Sequence, residues 1–260
     1  MSKIAIVTGA SSGIGKCEKA RLEEAGYKVY NFSRHNHEGG TNFVEVDVTN
    51  RAAVFEAVNK LVETEGHIDL LVNNAGFGIA GAIETTPEEL AKSQLEVNFW
   101  GMVNCTQAVL PHMRAQKGGR IINTSSVAAV FSIPFQAFYS CSKAAINSFT
   151  SALRNEVKDF GITACAVMPG DIKTGFTKNR IKTEETKAYD NQDRSIGVME
   201  KDEINGMSPD VVAKLVKKLA LKKHVKPLYT VGAKYKLLVF ISRFFSHNFC
   251  GKILKGMYVK

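Results

Sequence analysis

The sequence predicts an α/β fold in one domain: a parallel sheet of about seven strands, doubly wound, with helices on both faces. Two patterns carry that prediction. Short apolar runs alternate with stretches of helical periodicity, and parallel strands need crossovers of that length. A glycine-rich turn joins the first run to the first helical stretch. In addition, the unusual residues gather in loops that follow the carboxyl ends of the runs, where open α/β sheets bind ligands.

The first strand is a β-branched run at residues 3–7, and residues 16–25 have helical composition up to Gly26. Strands follow at 27–32 and 42–46, the latter closing at Asp47. Residues 50–65 place Ala53, Ala57, Val58, Leu61 and Val62 on one helical face, with Gly66 as the stop. A fourth strand at 68–72 runs into Asn73-Asn74-Ala75-Gly76. Thr86-Pro87-Glu88-Glu89 caps a helix that continues to Gln116 with a break near Gly101. A fifth strand spans 120–124, a long helix 137–160, and a sixth strand 162–168, ending at Pro169-Gly170. Residues 173–206 are polar and weakly periodic and are expected to form a mobile lid. Residues 208–221 form a capped helix, 228–231 a seventh strand, and 207–260 a basic, apolar extension.

Composition excludes several classes. With 45% hydrophobic and 23% charged residues, the 260-residue chain is neither disordered nor a membrane span, since no segment approaches ~20 apolar residues. Five scattered cysteines without CxxC spacing read as reduced thiols in a cytoplasmic protein. Cys17 is expected in the core, and Cys141 is expected to pack rather than do redox chemistry. Six histidines show no metal-ligand spacing, and His35 with His37 reads as a polar loop, so no metal is expected. The net charge of +9 is uneven: from Gly206 onward there are twelve Lys or Arg against the single acid Asp210, which leaves −2 on the first 205 residues. No nucleic-acid module accompanies that charge.

Gly9, Gly13 and Gly15 form G-x-x-x-G-x-G between strand and helix, where the backbone can approach a pyrophosphate and free N–H groups meet its charge. The second strand ends Asn31-Phe32-Ser33-Arg34 with no acid between Ala25 and His37. A ribose bearing a 2′-phosphate suits that end, with Arg34 as the donor fork and Ser33 in support, so NADP(H) is favoured over NAD(H). Tyr139 and Lys143 stand four apart on a helix, which sets the ammonium beside the phenol and would lower its pKa. Such a pair can exchange a proton with an oxygen.

With TGASSGIG at Thr8 to Gly15, Asp47-Val48, NNAG from Asn73, Asn98 in a helix, Ser126 ahead of Tyr139-x-x-x-Lys143, and PGDIKT from Pro169, the chain resembles the short-chain dehydrogenase/reductase family over residues 3–175. The resemblance implies a Rossmann-type fold and alcohol–ketone oxidoreduction with a nicotinamide cofactor. Tyr139 would be the acid in reduction and the base in oxidation. Lys143 would tune Tyr139 and bind the nicotinamide ribose, Ser126 would hold the substrate oxygen, and Asn98 the helix break and a proton-relaying water. Ser11, Ser12 and Ile14 would join the glycines around the pyrophosphate. Asp47 and Val48 would border the adenine; Asn74, Ala75 and Gly76 the adenosine; Pro169, Gly170, Ile172 and Thr174 the nicotinamide end. Ser12 stands where many NADP-preferring members carry a cation, which leaves that preference resting on Arg34.

The tail has no VDGG segment, unlike carrier-protein reductases, and resembles the branch acting on hydroxysteroids and other lipids. Phe131, Phe135 and Phe176, with Ile133, Pro134 and Phe138, would line an apolar substrate pocket. The expected substrate is a secondary alcohol or ketone on a steroid or similar lipid. A 3-oxoacyl thioester and a non-catalytic NADP sensor are the alternatives. A homodimer or homotetramer is implied. The segment with Phe240, Ile241, Phe244, Phe245 and Phe249 among cations is expected either to cover the pocket or a subunit interface, or to touch a membrane surface.

Overall fold

A computed structural model describes residues 2–36 and 42–259, the His247 side chain excepted. His37 lies outside the described residues. The chain begins β1 (Lys3–Thr8), α1 (Gly13–Glu23), β2 (Tyr27–Ser33), β3 (Phe43–Glu45) and α2 (Arg51–Glu65). β4 (Leu70–Asn73), the short β5 (Ile79–Ala80), α3 (Glu88–Leu95), α4 (Gly101–Ala115) and β6 (Gly119–Thr124) follow. Then come α5 (Ala137–Glu156), β7 (Ile162–Met168), β8 (Ile181–Lys182), α6 (Gln192–Ile204), α7 (Pro209–Leu221), β9 (Leu228–Thr230), α8 (Ala233–Ser242) and α9 (His247–Tyr258).

Seven strands pair in the order β3-β2-β1-β4-β6-β7-β9, and every pairing is parallel. Because the chain leaves β1 toward β2 on one side and returns as β4 on the other, the carboxyl ends of β1 and β4 open a crevice. The buried strands carry near-continuous apolar runs, as sheets covered on both faces do. One core layer joins Ile6, Val54, Val109 and Leu153 from β1, α2, α4 and α5; the other joins Val7, Leu22 and Val216 from β1, α1 and α7.

Three stretches differ from the sequence reading. The helix at 86–116 is interrupted by a π turn, Glu96–Trp100, just ahead of Gly101. The helix from 137 ends at Glu156 and is followed by a 3-10 turn, Lys158–Phe160. Residues 173–206 are far from featureless: they hold β8, which pairs with β5, and the whole of α6. The buried face of α6 is Gln192, Ser195, Ile196 and Met199, two polar and two apolar, so its helical period is invisible to hydrophobicity. Gln192 belongs inside because its Oε1 accepts from Ala82 N (2.8 Å) and its Nε2 donates to Thr183 O (2.9 Å).

Candidate active site

The glycine turn is set by backbone needs. Gly9 has φ +69°, a conformation that favours glycine, and a Cβ there would lie 3.0 Å from Ala75 Cα. Thr8 staples this turn to the loop after β4: its Oγ1 accepts from both Asn74 N and Ala75 N, each at 3.0 Å. Asn74 Nδ2 returns a bond to Thr8 O at 3.1 Å. Ser12 stands at the N-cap of α1 without a side-chain cap, which leaves the helix's first N–H groups to an anion, so the turn fits the pyrophosphate of a dinucleotide. Gly13, Ile14 and Gly15 form the first turn of the helix.

At the end of β2, Ser11 Oγ donates to His35 O (2.6 Å) and Asn31 Oδ1 accepts from Ala10 N (3.1 Å). Ser33 is buried and donates to Asn31 (2.6 Å), so its hydroxyl is turned into the turn's own scaffold, while Arg34 is exposed at the rim. Asp47 Oδ1 accepts from Thr49 N and Oγ1. Val48 is buried against Gly101, where a Cβ would meet Val48 Cγ2 at 2.5 Å.

Asn98 sits in the π turn, 1% exposed. Its Oδ1 accepts from Phe77 N (2.9 Å), and its Nδ2 reaches Phe77 O (3.0 Å) and Ser142 Oγ (3.2 Å). One side chain thus clamps the loop after β4, which carries Gly76, to α5. A deeper strut lies below it: Asn73 Nδ2 donates to Thr106 Oγ1 (3.1 Å) and Asn123 Oδ1 (2.9 Å), and Asn123 Nδ2 to Thr150 Oγ1 (2.9 Å). No motif pointed to Thr106, Asn123 or Thr150, and Thr8 was read only as the first letter of the glycine-turn motif; the only other signal was polar residues at strand ends and helix positions that periodicity marks as buried.

Ser126, Tyr139 and Lys143 come together. Tyr139 lies in the first turn of α5, close enough to Ser126 for that hydroxyl to favour the ionised phenol. Ser126 Oγ also accepts from Ala128 N at 3.1 Å. Lys143 Nζ, 5.6 Å from the centre of the Tyr139 ring, donates to Thr124 O at 2.8 Å. The expected lowering of the phenol by Lys143 is not what sets its pKa. Burial pushes the Tyr139 pKa up to about 12, against the pull of the Ser126 hydroxyl, and the same burial brings Lys143 down to about 8. A phenol held neutral is suited to give a proton.

The PGD turn closes the site. Pro169 O accepts from Val127 N (2.9 Å), Ile172 is buried, and Thr174 Oγ1 accepts from Phe176 N (3.2 Å). Gly170 is required by an aromatic neighbour: a Cβ there would come within 2.2 Å of the Tyr235 ring. The Tyr235 hydroxyl donates to Asp171, tying α8 to the site.

On the substrate side, Phe176 lies 5.7 Å from the Tyr139 ring. Ile133, Phe135 and Tyr258 of α9 pack against Ala80, Ile196 and Met199. Phe135 has φ +59°, an uncommon conformation for a bulky residue, just before α5. Pro134 and Phe135 border a cleft of about 400 Å³ that reaches Tyr189 and Val259, while Phe131 and Phe138 are half-buried. A larger cleft of about 470 Å³ opens at the amino ends of the central strands, between Lys3, Asp69 and Arg120, away from all these residues. Arg180, unmarked by sequence, is buried beneath Phe176, 5.6 Å from its ring, and pairs with Glu203, which also accepts from Thr177 Oγ1.

Two cysteine expectations need correction. Cys141 is exposed, because the face of α5 carrying Tyr139, Ser142 and Lys143 turns inward and position 141 turns out. Cys17 is half-buried rather than core, and burial raises its thiol pKa.

A family model described as short chain dehydrogenase matches residues 3–185. A 3-ketodihydrosphingosine reductase of Bacteroides thetaiotaomicron is 43% identical over 244 residues, covering 91% of this chain and 90% of that protein. Among solved structures, a short-chain dehydrogenase from Streptomyces avermitilis aligns with a TM-score of 0.85 at 26% identity, covering 94% of this chain and 93% of that one. ElxO, solved with NADP bound, aligns at 0.77 and 26% identity, covering 91% and 99%.

Proposed function

The chain belongs to the short-chain dehydrogenase family, and from that premise we propose that it is an NADPH-dependent reductase of a lipid ketone, a 3-keto sphingoid base being the best-supported substrate. The carrying observation is the 43% identity to a 3-ketodihydrosphingosine reductase over nearly the whole chain. Phe176 beside Tyr139 and the apolar cluster that Ile133 and Phe135 cover support an apolar substrate, and Arg34, exposed where a 2′-phosphate would lie, supports NADPH.

The nicotinamide supplies hydride to the carbonyl carbon when bound. Ser126 orients the carbonyl oxygen, and Tyr139 gives it a proton as negative charge develops there. Lys143, charged below about pH 8, then faces a phenolate, which its ammonium stabilises. Asn98 keeps the loop after β4 and α5 in register, so that cofactor and phenol meet at a fixed distance.

The test is NADPH consumption with 3-ketodihydrosphingosine, ketosteroids and 3-oxoacyl thioesters, paired with nucleotide titrations. Turnover of the sphingoid ketone is expected. Arg34→Ala should weaken NADPH binding about tenfold or more while leaving NADH unchanged, the worth of one charged fork on a phosphate. Turnover of thioesters alone would overturn the substrate, and equal wild-type affinity for the two nucleotides would overturn the cofactor.

A further inference from the structure

The last fifty residues contain twelve Lys or Arg and no Asp or Glu. They also form the most apolar exposed surface of the molecule: α8, α9 and their junction carry nine of the seventeen exposed large apolar side chains among the described residues. Leu237, Ile241, Phe245, Phe249, Ile253 and Met257 recur every fourth residue, all facing out. The inward faces hold Tyr235, Val239 and Ser242 on α8, and Cys250, Leu254 and Tyr258 on α9. Helices docked on a core normally show the reverse pattern. The outward aromatics support one another: Phe240 and Phe244 meet edge-on at 5.4 Å, and Phe245 stacks on Phe249 at 4.7 Å. Phe244 is 73% exposed. Lys234, Lys236, Arg243, Lys252 and Lys255 are all exposed around this band.

We propose that the α8–α9 pair is a docking surface for an anionic phospholipid bilayer, on which its aromatic band enters the interface while the flanking cations meet lipid phosphates. Among the described residues no helix is long and apolar enough to cross a membrane, so the contact is peripheral. Charge chooses the occupant. An apolar band alone would suit a second copy of the chain equally well, but a two-fold contact here would set an acid-free cationic patch against itself. An anionic surface accepts both the band and the cations.

The placement also has a use. Tyr258, on the inward face of α9, packs against the cluster of Ala80, Ile196 and Met199 that Ile133 and Phe135 also cover, and Tyr235 of α8 is bonded to Asp171 of the PGD turn. A bilayer held by the outward faces therefore lies one helix away from the cleft at Phe135 and Val259. That use rests on the lipid-substrate reading, whereas the binding surface does not.

The test is flotation of the full chain with vesicles of phosphatidylglycerol and phosphatidylcholine, or of phosphatidylcholine alone, at low and high salt. Binding to the anionic vesicles that falls with salt is expected. The variant Lys236→Gln/Arg243→Gln/Lys252→Gln should weaken it about a hundredfold at low salt. Phe240→Ser/Phe244→Ser/Phe249→Ser should abolish it while leaving NADPH turnover of a water-soluble ketone unchanged. No flotation with phosphatidylglycerol vesicles at low salt would overturn the proposal. So would a serine variant that dissociates an oligomer, by sedimentation, yet floats as wild type does. Neither readout depends on the natural substrate, so failure here and failure of the substrate assignment are distinguishable.

Discussion

The two ends of the chain hold their working groups by different means. In the nucleotide half, short polar side chains and glycines fix the backbone: Thr8 accepts two N–H groups, Asn31 links β2 to the turn, and Asn98 ties a loop to α5. In the substrate half, aromatic packing and one buried ion pair do that work: Phe176 on Tyr139, Tyr235 under Gly170, and Arg180 with Glu203. A dinucleotide presents fixed hydrogen-bonding groups, so its site is a backbone problem. The proposed lipid ketone would present mainly shape, so its site would be a packing problem.

The largest effect should come at the residue where the halves meet. Tyr139→Phe should lower kcat by about 10²–10⁴-fold, the usual worth of general acid catalysis, with NADPH affinity by fluorescence titration unchanged. A loss of nucleotide binding would show that the phenol serves the cofactor half instead.

Next is the ion pair. Glu203→Gln leaves Arg180 buried without its counter-charge, which costs about 3–5 kcal/mol. The Tm should fall by roughly 6–12 °C, and KM for the lipid ketone should rise more than Kd for NADPH. Equal damage to both constants would erase the division between the halves.

The smallest effect belongs to the nucleotide half alone. Glu18 lies on the buried stripe of α1 between Ile14 and Leu22, and its carboxyl oxygens have no hydrogen-bond partner among the described residues. Burial raises its pKa from 4.5 to about 8. Because the folded state holds the proton more tightly, wild-type stability falls as pH rises from about 4.5 toward 8. Glu18→Gln removes that dependence. Denaturant unfolding should show the variant gaining up to about 3 kcal/mol at pH 7 and nothing below pH 4. A gain of the same size at both pH values would point to packing.

Much of the nucleotide half was legible because its constraints are local. A glycine with positive φ, an N-cap and a Tyr-x-x-x-Lys spacing each depend on a few neighbouring residues, so their types appear in the sequence. The π turn around Asn98 was read only as a helix break, since one extra residue in a turn leaves no compositional trace. α6 was hidden because Gln192 and Ser195 are buried for hydrogen bonding and packing that distant segments supply.

The sequence by itself determined the alternation of strand and helix, the glycine turn ahead of α1 and the placing of Tyr139 and Lys143 on one helix face, because each follows from periodicity or short spacing. Only the tertiary structure decided that Tyr139 is held neutral by burial rather than made acidic by Lys143, that Arg180 and Glu203 meet beneath Phe176, and that the apolar face of the tail looks outward. Desolvation, ion pairing and exposure are properties of what surrounds a side chain, and those surroundings come from segments far apart in the chain.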